Sequence, residues 1–367
     1  MAELLKNIYN DDFFNRFTES MIEVYPSFNK TTFLTSVYNS DWDSLELKGR
    51  MRHITIALNE QLSTDYSTNL DIIISSIPLL VKNGFKTGSL EFIFYPDFVE
   101  LYGINSYQES VNALEEITKF ITCEFAVRPF LIKYPTEMME KMLLWSTHKN
   151  YHVRRLSSEG SRPSLPWAMA LPRLKKDPSS IFPILENLKN DEHEYVRRSV
   201  ANNLNDISKF YPNKVIEIAK NWIGINNKTE KLVKHATRTL LKQGNLEVME
   251  LFGFGAITQL KIADLSTSTP KVSIGEYLQF NFNLINNNPT PTKIRLEYGI
   301  YYLKANGTLT RKVFKISEKE YLANSTTLIT KKQSFKIITT RKFHIGNHQV
   351  SVIVNGRELE KIDFDLQ

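Results

Sequence analysis

Tyr151-His-Val-Arg-Arg-Leu156 has a close counterpart in Tyr195-Val-Arg-Arg-Ser-Val200, and Leu232-Val-Lys-His-Ala236 repeats the same pattern more faintly. The valines at equivalent places in the three stretches are 43 and 37 residues apart. Helix pairs of the HEAT type recur with a period of roughly 40 residues. The repeat therefore predicts stacked helical pairs, each of which begins its second helix with an apolar residue and two basic ones.

The helical pattern covers about the first 250 residues. Apolar residues there recur at three- and four-residue intervals, which is the periodicity of an amphipathic helix. Near residue 253 the pattern changes, and Gly253-Phe-Gly255 has the composition of a linker. We therefore expect a HEAT-like helical domain over residues 1–252, a linker over 253–258 and a second domain over 259–367.

The second domain carries an all-β pattern. Runs rich in Ile, Val, Thr, Tyr and Phe alternate with turn residues, and the strongest runs cover residues 278–286, 294–303, 335–339, 348–356 and 361–366. Asn306-Gly307 and Asn355-Gly356 are typical of the turns of β-hairpins. The pattern predicts an immunoglobulin-like β-sandwich. The expected fold class is thus multidomain, an all-α solenoid followed by an all-β sandwich.

Charge is distributed unevenly along the chain. Residues 1–140 carry a formal net charge of −9, residues 141–245 carry +10 and residues 256–367 carry +7. Two basic segments behind an acidic one are typical of a protein that binds an anionic partner, for which nucleic acid is the first candidate. The other interpretation is that surface lysines keep the protein soluble, and charge alone does not separate the two.

Stacking the predicted repeats would bring their basic pairs together on one concave face. The pairs are Arg154 and Arg155, Arg197 and Arg198, and Lys234 and His235. Such a stripe of cations has the geometry needed to follow a phosphate backbone.

Several classes of protein are excluded by what the sequence lacks. Cys123 is the one cysteine, so neither a disulfide framework within the chain nor a cysteine-rich zinc site is expected. The sequence contains no glycine-rich phosphate loop and no G-x-S-x-G nucleophile motif. The first residues lack the basic and apolar runs of a signal peptide. We therefore expect a cytoplasmic protein that needs no metal and no cofactor.

The segment from Arg154 to Trp167 is the first that could carry chemistry. Glu159 lies four residues after Arg155, so the two share a helix face. Gly160 and Pro163 should then end the helix, and an irregular loop can present Trp167. The alternative interpretation is an ordinary ion pair beside a packing tryptophan.

The second such segment contains Arg198, Asn202 and Asp206, which are spaced by four residues and share a helix face. Asp206 and Glu159 are thus expected among cations on neighbouring repeats. A groove that only binds phosphates should avoid acids, because they repel DNA, so their presence indicates chemistry on a nucleic acid. The alternative is that they orient the arginines. Glu124, before a predicted helix start at Pro129, is a third acid about which the residues alone say little.

Taken together, four motifs resemble a known family. They cover residues 124–130 (EFAVRPF), 153–167 (VRRLSSEGSRPSLPW), 195–206 (YVRRSVANNLND) and 339–356 (TTRKFHIGNHQVSVIVNG). The first three resemble the AlkC branch of the AlkC/AlkD DNA alkylation-repair glycosylases. The fourth resembles the extra immunoglobulin-like domain that some AlkC members carry.

The resemblance implies a monofunctional glycosylase that removes the cationic bases 3-methyladenine and 3-methylcytosine from duplex DNA, without base flipping. It implies that Glu124, Glu159 and Asp206 are the active-site acids and that Trp167 is the active-site aromatic. Asp206 is our candidate for positioning the attacking water. The implied enzyme is a monomer without an obligate protein partner.

The residues expected to bind DNA come from both domains. They are Arg154, Arg155, Arg162, Arg197, Arg198, Asn202, Lys234, Arg341, Lys342 and His344. Two other functions stay open at this point, since a HEAT array with an immunoglobulin-like domain could be a protein scaffold. It could also be a sensor that binds damaged DNA without catalysis.

Overall fold

The computed structural model describes residues 4–338 and 341–367. These residues form two compact units, which are described separately. The first contains the described residues up to Phe210 together with Trp222–Ala236, and the second contains Tyr211–Asn221 and Thr237–Gln367. Helices occupy the chain up to Leu251 and strands begin at Leu260. An all-α region followed by an all-β region is the fold class that the sequence predicts.

The helical region is a succession of mostly short helices. They are α1 (Asp11–Val24), α2 (Lys30–Val37), α3 (Leu47–Gln61), α4 (Tyr66–Lys82), α5 (Phe94–Gly103), α6 (Tyr107–Ile117), α7 (Val127–Lys133), α8 (Pro135–Trp145), α9 (Tyr151–Gly160), α10 (Pro172–Lys176), α11 (Phe182–Leu188), α12 (Glu194–Ile207), α13 (Pro212–Trp222), α14 (Asn227–Ala236), α15 (Arg238–Gln243) and α16 (Leu246–Leu251). Within the described residues, none of them combines the length and the apolar character needed to cross a membrane.

Local sequence explains where these helices begin and which face they bury. The Asn10 side chain accepts a hydrogen bond from the backbone N–H of Phe13 and caps α1, which satisfies a donor that the helix itself leaves unpaired. Phe13, Phe17 and Met21, at three- to four-residue spacing, are buried. They pack with Phe33, Phe92 and other rings into an aromatic core at the N-terminal end. The periodicity read from the sequence is therefore the buried face of the helices.

The helical repeat predicted from the sequence is present in the structure. Helix α12 packs against both α9 and α14, while α8 contacts α9 and α11 contacts α12. Val153, Val196 and Val233, the equivalent valines, are all at most 1% exposed. The interval of about forty residues thus places one valine of each repeat in the core.

The β-region contains two sheets. Its strands are β1 (Leu260–Thr267), β2 (Lys271–Val272), β3 (Tyr277–Asn286), β4 (Thr292–Leu303), β5 (Leu309–Tyr321), β6 (Ser325–Ser334), β7 (Gly346–Val354) and β8 (Arg357–Leu366). One sheet has the order β1-β3-β6 and the other β2-β8-β7-β4-β5. All pairings are antiparallel except that of β2 with β8. Both sheets contribute to one apolar core, which includes Phe280, Ile300 and Val352.

The sequence found the strands of the sheet interiors and missed those at the edges. Strands β1, β2, β5 and β6 were not predicted, and each lies at the edge of its sheet. Edge strands carry more polar residues, as in the largely exposed LTRKVFKISEKEY of β5. The predicted strand over residues 335–339 is wrong for its described part. Strand β6 ends at Ser334, Phe335 turns into the core, and Ile337 is 83% exposed.

Both predicted hairpin turns are confirmed. Asn355 and Gly356 join β7 to β8 with φ values of 42° and 78°, which is the conformation that favours this residue pair. Asn306-Gly307 joins β4 to β5, with Gly307 at a φ of 79°. The predicted linker is irregular and largely exposed, but Phe254 is 1% exposed and the Asn355 amide donates to the Gly255 carbonyl at 3.0 Å. The domain boundary at residue 252 itself stays a prediction.

The end of α9 packs closely against neighbouring helices at a glycine, which leaves no room for a side chain. A Cβ atom at Gly160 would lie 2.6 Å from Val127 Cγ2 and 3.0 Å from Met142 Cε. We expect Gly160→Ala to lower the free energy of unfolding by about 1–3 kcal/mol, because overpacking forces its neighbours to shift. Urea unfolding measures this. Gly255→Ala is the control, since nothing lies within 4 Å of its Cβ position, and equal stability of both variants would contradict the prediction.

Candidate active site

Three carboxylates that are far apart in sequence meet beside the repeat helices. Glu124 lies between α6 and α7, Glu159 lies near the end of α9, and Asp206 lies near the end of α12. The packing of α9 on α12 brings the last two onto neighbouring helices. Glu159 is 5% exposed and Asp206 is 3% exposed. Buried carboxylates need partners, and two arginines supply them.

Arg155 connects the first two acids. Its Nη1 atom donates to Glu124 Oε2 at 2.5 Å and to Thr122 Oγ1 at 2.7 Å. Its Nη2 atom lies 3.7 Å from Glu159 Oε1, the contact that the four-residue spacing predicts. The guanidinium carbon also lies 4.4 Å from the centroid of the Tyr195 ring, an arrangement that favours a cation. Arg155 is thereby held on three sides.

Arg162 connects the second acid to the third. Its Nη1 atom donates to Glu159 Oε1 at 2.6 Å, and its Nε atom donates to Asp206 Oδ2 at 2.9 Å. Lys209 Nζ donates to the other oxygen of Asp206 at 3.0 Å. The result is an alternating row of charges that runs Glu124, Arg155, Glu159, Arg162, Asp206. Each acid has a cation beside it, which offsets part of the cost of burying a carboxylate.

Arg128 is a structural member of the site that the sequence analysis missed. It is fully buried, and its guanidinium donates to the carbonyls of Gly160 at 3.0 Å, Arg162 at 2.9 Å and Met169 at 2.6 Å. It therefore fastens both ends of the loop that contains Trp167. Burial, and then the neighbouring Arg162 charge, lower the pKa of the Arg128 guanidinium to about 10. The signal in the sequence is a cation near the start of the otherwise apolar residues 127–132.

Trp167 is presented by an irregular loop, as the sequence predicts. It is 71% exposed, and its φ of 65° lies in the left-handed region. Its backbone carbonyl accepts a hydrogen bond from Lys48 Nζ. Trp167, Glu124, Lys48 and Phe125 line the same cavity of about 420 Å³. The aromatic and one of the acids therefore face a common space.

The predicted stripe of arginines is used largely inside the protein. Arg154 donates to the Asp191 carboxylate at 2.5 and 3.1 Å, and Arg197 donates to the Asp191 backbone carbonyl at 2.6 Å. Both arginines thus hold the turn before α12. Arg198 is different, because its side chain is 62% exposed and is paired with Glu194, whose side chain is also exposed. It stays accessible to an external anion.

A basic cleft lies between α12 and α14. It has a volume of about 290 Å³, and its lining includes Arg197, Arg198, Lys228, Lys231 and His235, with Glu194 as its one acid. Lys228 and Lys231 were not predicted, since they lie outside the repeated motif. Asn202 and His235, from the two helices, are joined by a 3.1 Å hydrogen bond. Lys234 follows on α14 and is half-buried.

The predicted DNA contacts of the sandwich belong to the second compact unit. The Arg341 guanidinium carbon lies 4.1 Å from the centroid of the Tyr302 ring. Lys342 is exposed. The carbonyl oxygen of His344 lies 2.9 Å from His348 Nε2, so this residue takes part in the local folding of its loop. Arg341 and Lys342 therefore place two cations close together on this domain.

Two protein-family models match the chain. The model described as "DNA alkylation repair enzyme" matches residues 104–247. The model described as "Uncharacterised protein YhaZ, C-terminal Ig-like domain" matches residues 261–367. The second match confirms the predicted immunoglobulin-like character of the sandwich.

The whole chain is also similar to two known proteins. It is 44% identical over 366 residues to the "Uncharacterized protein YhaZ" of Bacillus subtilis, and the match covers 100% of both chains. It matches the solved structure of the Pseudomonas fluorescens alkylpurine DNA glycosylase AlkC, bound to DNA containing an abasic site analog, with a TM-score of 0.94. That match has 35% sequence identity and again covers 100% of both chains. The similarity thus extends over the helices and the sandwich alike.

The shared cation Arg162 should be critical for stability. Arg162→Met keeps the apolar stem but leaves Glu159 and Asp206 buried without their common partner. We expect a loss of about 3–5 kcal/mol in the free energy of unfolding at neutral pH, because removing one member of a buried ion pair strands the other charge. Urea unfolding followed by circular dichroism measures it.

The matched control is Arg198→Met, which breaks the exposed pair with Glu194 and should cost less than about 1 kcal/mol. Adding Glu159→Gln to Arg162→Met should recover part of the lost stability, since one stranded charge is removed. If Arg162→Met lowered the free energy of unfolding no more than the control does, Arg162 would not stabilise the two buried carboxylates.

Proposed function

The chain belongs to the AlkC branch of the DNA alkylation repair proteins, and on that basis we propose that it is a DNA N-glycosylase. Its substrates are the cationic alkylated bases 3-methyladenine and 3-methylcytosine in duplex DNA, and it hydrolyses their glycosidic bond with water as a monomer. The observation that carries the proposal is the row of three carboxylates held by two arginines beside an exposed tryptophan.

The chemistry of the lesion explains why carboxylates suffice. A base methylated at N3 carries a positive charge and is already a good leaving group. As its bond to the sugar breaks, positive charge develops on the deoxyribose. Fixed negative groups aimed at that position stabilise the transition state, and they do so without reorganisation. Arg155 and Arg162 hold the carboxylates in position, since each forms ion pairs with two of the acids.

Asp206 is the acid that positions the attacking water. Arg162 binds its Oδ2 atom and Lys209 binds its Oδ1 atom, so the carboxylate is oriented from both sides. A carboxylate has about four acceptor positions, which leaves it capacity to accept a hydrogen bond from water and to take up its proton. Glu159 and Glu124 stabilise the charge on the sugar.

Trp167 contacts the substrate through its ring face. An indole ring attracts cations, and both the methylated base and the reacting sugar are cationic. The reaction proceeds at the sugar without base flipping, which distinguishes it from most glycosylases. The positive charge of the lesion weakens its own glycosidic bond, and this weakening sets the specificity of the enzyme. Bases with neutral damage are therefore poor substrates. Support for this comes from the family resemblance and from the position of Trp167 on the surface.

The phosphate backbone is bound by cations of both domains. In the helical part these are Arg198, Lys228, Lys231 and His235 of the cleft between α12 and α14 together with Lys234, and in the sandwich they are Arg341, Lys342 and His344. Arg154, Arg155, Arg162 and Arg197 support the site mainly through their bonds within the protein. The protein accordingly acts on chromosomal DNA in the bacterial cytoplasm.

The test of the proposal is Asp206→Asn in a base-release assay. Purified protein is incubated with methylated duplex DNA under single-turnover conditions, and released 3-methyladenine and 3-methylcytosine are measured by chromatography. We expect release to be about 10²- to 10⁴-fold slower in the variant, which is the usual contribution of a general base, with DNA binding retained. Asp71→Asn, on the exposed side of α4, should be fully active.

The other outcomes separate the alternatives. Binding of damaged DNA by the unaltered protein without base release would favour a damage sensor, and absence of DNA binding would favour a protein scaffold. Undiminished release by Asp206→Asn would refute the role of this acid while leaving the glycosylase intact.

The salt dependence of DNA binding tests the phosphate contacts. Each phosphate neutralised contributes about 0.9 to the slope of log K against log salt concentration. We expect Arg198→Gln and Lys342→Gln each to reduce this slope by about that amount. Lys82→Gln, at a side chain that is 69% exposed on α4, should leave it unchanged. Fluorescence anisotropy measures the slopes. Equal slopes in all three variants would contradict the assignment of Arg198 and Lys342 as phosphate contacts.

A further inference from the structure

A lysine of the N-terminal helices makes a long-range contact with the proposed catalytic loop. Lys48 lies near the start of α3, and its Nζ atom donates to the backbone carbonyl of Trp167. We propose that Lys48 is a positioning residue that holds Trp167 in the place where it meets the cationic substrate. The inference rests on the proposed function, since it concerns the aromatic of that same site.

The backbone of Trp167 needs such a support. A φ of 65° is uncommon for any residue other than glycine, and a bulky side chain makes it more costly. Conformations of this kind persist only where surrounding contacts over-determine them. The loop's own backbone bonds are long, at 3.3 Å from Ala168 N to the Leu165 carbonyl and 3.3 Å from Leu171 N to the Pro163 carbonyl. Lys48 adds a charged donor at the strained residue itself.

Both ends of the loop are already fixed by Arg128. Arg128 binds the carbonyls of Arg162 and Met169, on either side of Trp167. Arg128 therefore sets where the loop begins and ends, but its bonds do not reach the carbonyl of Trp167. Lys48 supplies that remaining bond, and both residues line the same cavity.

Lys48 is itself held in position by its surroundings. Its ammonium lies 5.1 Å from the centroid of the Phe125 ring, the residue that follows Glu124. Asp97 and Glu100 line the same cavity as Lys48, and their carboxylates are bonded to Arg52 at 2.8 and 3.4 Å. Burial raises the pKa of both carboxyls, and the Lys48 charge acts in the opposite direction. The Lys48 ammonium thus contacts one aromatic face and one carbonyl, and its charge favours the ionised form of two neighbouring acids.

A consequence is that the acids and the aromatic are supported by different parts of the helical unit. The carboxylates are held by Arg155 and Arg162, which belong to the repeats. The aromatic depends in part on α3, which contains no proposed catalytic residue. A change at Lys48 should therefore affect Trp167 and leave the row of charges intact.

The experiment compares Lys48→Met, Lys48→Arg, Trp167→Ala and the double variant Lys48→Met/Trp167→Ala. Hydrogen exchange of the peptide over residues 163–171 reports the loop, and the peptide of α12 reports the repeats. We expect faster exchange in the loop of Lys48→Met, unchanged exchange in α12, and recovery in Lys48→Arg, which keeps a charged donor. Lys82→Met is the matched control and should resemble the unaltered protein.

Single-turnover base release then tells whether the contact acts through Trp167. We expect Lys48→Met to be slower by up to about 10²-fold, since misplacing a reacting group by 1 Å can cost that much, and the double variant to be no slower than Trp167→Ala. Residues that act as a unit have non-additive effects of this kind. The slope of DNA affinity against salt should not change.

Three results would overturn the inference. Unchanged exchange in the loop would show that Lys48 does not hold it. Multiplicative losses in the double variant, or a salt slope lower by about one, would show that Lys48 acts independently of Trp167, in the latter case as a direct DNA contact. Faster exchange throughout the helices would reduce its role to folding. Since exchange is measured without substrate, it is informative even if the protein lacks glycosylase activity.

Discussion

The site depends on Arg162, which lies between two buried carboxylates. Glu159 and Asp206 are each almost inaccessible, and two such charges could not share a protein interior without a cation between them. Arg162 meets both with one planar group, and Arg155 repeats the arrangement for Glu124. The row of charges is thus complete before any substrate arrives. Carboxylates fixed in this way need no rearrangement at the moment of reaction, which is the condition for electrostatic catalysis.

The same constraint changes the meaning of the basic motif. The repeated pair of basic residues predicted a stripe of cations for an external polyanion, but Arg154 and Arg197 bind the turn at Asp191 instead. A motif that recurs with the helical repeat can serve the stacking of the repeats as well as the ligand. The cations that remain outward, such as Arg198 and Lys231, line a cleft together with His235. Net charge therefore indicates the kind of partner better than it indicates the residues that bind it.

Much of the fold could be predicted from local sequence. The repeat, the end of α9 at Gly160 and the turn at Asn355-Gly356 follow from periodicity and backbone preference. Edge strands such as β5 could not be predicted, because their polar faces lack the alternation of a half-buried strand. Of the site, the spacing of Arg155 and Glu159 predicted their contact. The roles of Arg128 and Lys48 depend on carbonyl groups 32 to 41 and 119 residues away along the chain, and no local pattern contains that information.

The chain has four tryptophans, and they differ sharply in exposure. Trp42, Trp145 and Trp222 are at most 6% exposed, whereas Trp167 is 71% exposed. Collisional quenchers in solution therefore reach one indole far more readily than the others. In the proposed reaction Trp167 contacts the base or the sugar, so its emission should respond to whatever occupies that position. The protein thus contains an intrinsic fluorophore at the site, and occupancy can be followed optically without attaching a dye to protein or DNA.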